Sequence, residues 1–236
     1  MRHGDRRGVH AVSHPLDRPV WTALSGRQAR FAAGGPLALR YRPEINLLAA
    51  AANDTPEALA ALAALVPPGG KIATVEGAET PVPPGLTVVK RAMLAQMVLE
   101  RPAPAEPVDY LDLGDADAPE MLALATLTEP GPFVEATHRL GAFIGVRIDG
   151  QLVAMSGERM RAPALTEVSA VCTHPDWRGR GLAGKLMRVV MDRIVARGET
   201  PFLHSYASNL GAIALYEKLG FRVRREVIAT FLERQK

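Results

Sequence analysis

Six residues, Arg178-Gly179-Arg180-Gly181-Leu182-Ala183, join a run that reads as a strand to a run that reads as a helix. No other feature constrains the chain as much. Upstream, Glu167 to Thr173 is rich in β-branched and small residues, and His174-Pro175-Asp176 breaks the pattern. Downstream, Leu182, Leu186, Val189, Val190 and Ile194 recur at helical spacing. Glycines at such a turn let the backbone approach a ligand, and the first amides and positive dipole end of the helix point at the same place. With Arg178 and Arg180 alongside, the expected chemistry is pyrophosphate binding; the alternative is a tight turn with solvated arginines. A P-loop is excluded because no Gly-Lys-Ser/Thr follows the glycines. The dinucleotide fingerprint fails on glycine spacing and on the missing acidic residue about 20 positions on.

The next forty residues narrow the choice. Phe202 to Asn209 reads as a strand with a polar end, and Gly211 to Leu219 as a helix closed by Gly220 and Phe221. Arg178, Gly181 and Ala183 match the Gln/Arg-x-x-Gly-x-Gly/Ala pyrophosphate signature of the GCN5-related N-acetyltransferase superfamily. Asn209, Tyr216, Gly220 and Phe221 match its second signature. From about Val108 onward the chain resembles that superfamily. The wording around Ala170-Val-Cys-Thr-His-Pro175, with His14 to Trp21, resembles its FR47-like branch. The resemblance implies an α/β (α+β) fold with a mixed, twisted sheet between helices, and acetyl-CoA as the acyl donor.

Composition sets the outer limits. The 236 residues, 47% hydrophobic, can fill one large core or two small ones. No apolar run of about 18 residues is present, so no membrane span is expected. The basic start lacks the apolar core of a secretory signal. A lone cysteine excludes an internal disulfide and suits a reducing compartment, so the cytoplasm is expected. Net charge +3 suits an anionic cofactor. With no Lys/Arg run interleaved with aromatics, nucleic-acid binding is not expected.

Along the chain, residues 1–12 are polar and unpatterned and are expected to fray. Helices are expected over Trp21–Ala33, from Pro56 to Val66 behind a cap at Asp54 or Thr55, and over Asp115–Leu127 and Val134–Arg139. Strands are expected from Leu37 to Ala52 on either side of Arg42-Pro43, over Lys71–Val75, and over Leu86–Leu99 unless the chain turns helical after Lys90. Val108–Leu113, Phe143–Ile148 and Leu152–Met160 should also be strands, the last two joined by an Asp149-Gly150 turn. The proline-rich Arg101–Pro107 is the clearest linker. It divides the chain into an α/β first half, 1–106, and a catalytic half, 107–236. The first half is either a degenerate copy of the same fold, walling one side of the acceptor cleft, or an unrelated cap.

Acyl transfer from a thioester to an amine needs an anchored donor, a polarised carbonyl, a deprotonated amine and a protonated leaving thiol. The resemblance assigns free backbone groups of Val171, Cys172 and Thr173 to the pantetheine arm. It assigns the loop Gly179, Arg180, Gly181, Leu182, Ala183 and Gly184, with Arg178, to the pyrophosphate. Asn209 would position the donor, and it also suits a helix N-cap. Tyr216 would protonate the thiolate, or is a core tyrosine. For the base, His204 stands where some peptide-amine acetyltransferases carry a glutamate, or it is a buried structural histidine. Glu167 could act through water or be a solvated strand end, and many relatives use a water chain alone. Cys172 reads as a small buried hydrophobe rather than a nucleophile. His10 and His14 have metal-pair spacing but no third ligand, so no metal is expected. The expected activity is acetyl transfer by direct attack of an amine, on a small molecule or a peptide end, by a monomer or homodimer. A non-catalytic acyl-CoA sensor is the alternative, and an interaction protein that recruits a macromolecule through its first half is a third. Acceptor choice is expected from Thr128–Leu140, a final hairpin and the first half.

Overall fold

The computed structural model describes residues 14–104 and 107–236; the stretch expected to fray, and His10, lie outside the described residues. Pro19–Ser25 form α1. The helix expected as far as Ala33 stops at Gly26, where a side chain would stand 2.8 Å from the Thr22 carbonyl oxygen. A 3-10 turn, Ala29–Phe31, leads into β1, Ala32–Gly35, which pairs antiparallel with β2, Ala38–Tyr41. β3, Ala49–Ala51, pairs with β2. Thr55 caps α2, Pro56–Ala64, by accepting from the Ala58 amide at 3.4 Å. β4, Lys71–Glu76, and β5, Thr87–Leu99, follow; β5 stays extended past Lys90 because both of its edges are paired.

After the proline-rich stretch come β6, Leu111–Leu113, and α3, Ala118–Thr128. Asp115–Asp117, expected within α3, is a 3-10 turn, and the helix expected over Val134–Arg139 is a 3-10 turn at Thr137–Leu140. Asp149 and Gly150, both at positive φ, turn β7, Phe143–Ile148, into β8, Gln151–Ala162. β9, Leu165–Thr173, α4, Leu182–Ala196, β10, Thr200–Tyr206, α5, Leu210–Lys218, and β11, Phe221–Glu233, complete the order.

One eight-stranded sheet runs β4-β11-β5-β10-β9-β8-β7-β6. β5 lies between β10 and β11, antiparallel to both, although it precedes the proline-rich stretch. The expected domains 1–106 and 107–236 therefore share a sheet, and strand pairing crosses the boundary. The expected final hairpin is absent: β11 is a single strand whose partners, β4 and β5, come from the first half. The two halves nonetheless run in the same order. β1-β2-β3, α2 and β4 are followed by an edge on β11; β7-β8-β9, α4 and β10 are followed by an edge on β5.

Two cores hold the sheet in place. Leu186, Met187, Val190, Met191 and Ile194, the apolar stripe of α4, pack on Ile144, Val153, Val168 and Leu203. On the other face Leu16, Val20 and Leu24 pack with Tyr41, Val75, Met160, Phe202 and Val227, joining first-half and second-half side chains.

Candidate active site

The parallel strands β9 and β10 pair only from Leu165–Glu167 to Thr200–Phe202 and then separate. A bulge widens the gap. Between Met155/Cys172 and Gly157/Ser169 the β9 side carries one extra residue, and Ala170 takes φ +50°. That left-handed conformation in a non-glycine residue is a local strain, and it re-aims the backbone beside Val171.

On one side of the gap lies a cavity of about 610 Å³ lined by Val171, Cys172, Thr173 and the loop Arg178, Gly179, Gly181, Leu182, Ala183 and Gly184. Gly179 and Gly181 have φ of +76° and +74°, and a Cβ on either would meet nothing within 4 Å, so the loop is open to a ligand. Gly181 is the N-cap of α4 and offers no side-chain oxygen, which leaves the first amides of a 15-residue helix facing that space. Arg178 is exposed, with Nε 3.4 Å from the Thr173 carbonyl oxygen; Arg180 stacks on Trp177 at 4.2 Å, and Arg188 also lines the cavity. Glycine backbone, unengaged helix amides and cationic side chains fit the phosphates of coenzyme A.

On the other side a cleft of about 210 Å³ is lined by Tyr216, Asn209, His204 and Arg159, with Leu48, Ala73 and Val75 of the first half in its wall. Thr128 and Val171 line both spaces, so the two meet at the bulge. Tyr216 stands edge-on to Phe221, with ring centroids 6.5 Å apart. Its hydroxyl has no hydrogen-bond partner among the described residues, and burial pushes its pKa up, which keeps the proton on. Asn209 caps α5, accepting from the Ala212 amide at 3.1 Å, while it also faces the cleft.

The candidate bases stand otherwise than expected. Glu167 is neither solvated nor at a strand end; it is fully buried. Arg159 grips its carboxylate with Nε and Nη2 at 2.8 and 2.7 Å, and the His204 Nδ1–H and Met160 amide donate to it as well. Burial works to raise its pKa, but the Arg159 charge and these hydrogen bonds win and hold it down to about 2. A carboxylate already engaged by four donors and held low is poorly placed to take an amine proton. His204 is buried too, and both of its ring nitrogens are engaged. The Gln96 carboxamide is oriented by Arg224 on its oxygen at 2.8 Å and by the Leu16 carbonyl on its nitrogen at 2.9 Å, so its NH₂ also donates to His204 Nε2 at 3.1 Å. The lone pair a base would use is already taken. Cys172 is buried and its thiol is pushed up to about 11, as a packing residue should be. His14, whose spacing from His10 suggested a metal pair, accepts the Leu16 amide on Nδ1 at 3.1 Å.

Sequence reasoning missed Arg159, Gln96 and Thr128. Arg159 meets Glu167 across the β8–β9 hairpin, and Gln96 meets His204 across β5–β10, pairings with no local signal.

The comparisons with known proteins agree with this geometry. Residues 143–229 match the family described as FR47-like protein. A solved structure from Novosphingobium aromaticivorans, ascribed to the GNAT family, superposes with a TM-score of 0.89 at 50% identity, over 95% of this chain and all of that one. The N-alpha-acetyltransferase RimI of Mycobacterium tuberculosis is 31% identical over 131 residues, 51% of this chain and 82% of that protein. The mycothiol acetyltransferase of Corynebacterium aurimucosum is 40% identical over 65 residues, 27% of this chain; the chain spans only about a fifth of that relative, 21% of its length. The chain belongs to the GCN5-related N-acetyltransferase superfamily, and its residues 143–229 carry the FR47-like match. Among the described residues no helix is long and apolar enough to cross a membrane.

Proposed function

We propose that this protein transfers an acetyl group from acetyl-CoA to a primary amine by direct attack. The observation that carries the reading is the meeting of two cavities at Thr128 and Val171, one against the glycine loop and the other against Tyr216. Acetyl-CoA, when bound, supplies the activated acyl carbon and a thiolate leaving group. The loop Arg178–Gly184 and the α4 amides anchor its pyrophosphate, and backbone groups of Val171, Cys172 and Thr173 hold the pantetheine arm. Beside the bulge at Ala170, the Val171 N–H polarises the carbonyl. Asn209 orients the arm from the far side of the gap. The amine nitrogen forms the new C–N bond as the C–S bond breaks. Tyr216 gives its proton to the departing sulfur, and the amine proton leaves through water in the cleft, since neither Glu167 nor His204 has a free site for it. The reaction belongs to the cytoplasm, where acetyl-CoA and reduced Cys172 coexist.

Thiol release from acetyl-CoA with a panel of primary amines tests the reading, with a Tyr216→Phe control. Turnover with at least one class of amine is the expected result. Tight binding of coenzyme A with no turnover across the panel overturns it in favour of an acyl-CoA sensor.

A further inference from the structure

Two charged side chains line the acceptor cleft and are left unused by the transfer chemistry: Glu129, exposed at its rim, and Arg159, set deeper in it. A guanidinium has five N–H donors, and Glu167 occupies Arg159 on its Nε and Nη2 side. Nη1 has no hydrogen-bond partner among the described residues, yet it is not sealed from solvent. It lies 3.8 Å from where a side chain would begin at Gly131, and Gly131 and Arg159 both line the cleft. The Arg159 side chain is 11% exposed, so the free edge is held in one place by the ion pair behind it. Buried charge normally finds all of its partners inside the protein; here a rigid, directional set of donors ends in a cavity.

The rest of that cavity defines what would meet it. Leu48, Val75, Leu94, Ala229 and Phe231 make an apolar wall. At about 210 Å³ the space falls short of the roughly 300–1,000 Å³ of drug-sized sites. A small pocket with one apolar wall and one carboxylate-shaped donor edge, next to the point where an amine must attack, fits a molecule that carries all three groups close together.

We propose that the acceptor is an apolar α-amino acid or a close analogue, its carboxylate held by the Nη1 edge of Arg159 and its amine directed toward Val171 and Tyr216. The inference rests on the acetyl-transfer reading for the amine, but not for the carboxylate. Glu167 acts behind Arg159 as a positioning residue.

The test is calorimetric titration of the full chain, with coenzyme A present, using leucine, valine and phenylalanine, each beside its amide and its decarboxylated amine. At least one amino acid is expected to bind about ten- to a hundredfold tighter than both analogues, the range for a charge-assisted hydrogen bond. Arg159→Lys, which keeps a cation for Glu167 but has no second nitrogen, should erase the preference for the acid over its amide and amine. Equal affinity for acid, amide and amine, or no binding of any of the acids, overturns the proposal. An amide that binds as well as its acid does so too, and points to a peptide end instead. Should Arg159→Lys fail to fold, a wild-type crystal soaked with the tightest amino acid decides. A carboxylate within about 3.2 Å of Nη1 supports the proposal, and one held elsewhere sinks it. An amino acid bound through Arg159 but never acetylated leaves this subsite standing and removes the transfer reading. Amine turnover without carboxylate preference does the reverse.

Discussion

The two halves of the molecule use the same strand order and do opposite things with the gap it creates. In the second half β9 and β10 part after three residue pairs, and the opening faces a glycine loop and a cavity. In the first half β3 and β4 touch through a single bridge, Leu48 to Ala73, which leaves a comparable gap. There Arg18 fills it: its guanidinium donates to the carbonyls of Ala51 and Ala52 and pairs with Glu76 of β4. The loop after β3, Ala52-Asn53-Asp54-Thr55, has no glycine and carries an acid where the other loop carries arginines. The first half repeats the element order of the second without its glycine loop. A parted pair of strands is thus a feature of the frame, and what lines it decides whether it binds anything.

The buried carboxylates of the two gaps separate most strongly. Removing the Glu167 charge with Glu167→Gln leaves Arg159 buried and unpaired, a loss of roughly 3–5 kcal/mol in urea unfolding. Because its folded pKa is depressed to about 2, Glu167 contributes stability above the usual carboxylate range that drains away as pH falls toward that value. Glu76 has the opposite sign. Burial outweighs Arg18 and raises its pKa, so its contribution is full below the unfolded value and is lost as pH rises through the folded one. Unfolding measured from pH 2 to 7 should show Glu167→Gln flattening the acid limb, and Glu76→Gln removing a slope of opposite sign; slopes of the same sign would break the comparison. Next in size, Tyr216→Phe should lower turnover about a hundredfold with little change in binding of coenzyme A, read by thiol release and calorimetry. Arg18→Met should cost about 2 kcal/mol, by stranding Glu76 and two carbonyls, without creating a second cofactor site. Titration with coenzyme A should still give one molecule per chain, and two would show that the plug alone distinguishes the halves. Smallest is Gly181→Ala. With open space around the new methyl group, only the positive φ resists it, at about 1 kcal/mol, and the expected change is a modest weakening of cofactor binding.

Local chemistry made much of this legible. The loop at Arg178–Ala183, the cap at Thr55, the Asp149-Gly150 turn and most strands follow from spacing and turn residues within a few positions of each other. The helix past Gly26 and the final hairpin were misread for different reasons: the backbone leaves the helical region at Gly26, with φ −121° and ψ −118°, and the last strand finds its partners in the first half. The base candidates are a related case. Glu167 and His204 look available as isolated titratable residues, and only the fold reveals Arg159 and Gln96 on either side of them. The signatures locate where a ligand binds, while cross-strand neighbours decide which side chain is free to act.

The place of β5 between β10 and β11 also governs how the chain reaches its final form. Phe221 pairs with Leu99, and Glu233 with both Lys71 and Thr87, so the central pairings span more than half of the polypeptide. Until β11 has been synthesised, β4 and the outer edge of β5 stay uncapped, although β5 can already close the second half against β10. Assembly must therefore wait for the far end of the chain, which favours slow, all-or-none closure over stepwise maturation. A ribosome stalled before Phe221 would hold two sheets with facing unpaired edges, joined only when β11 lies down between β4 and β5.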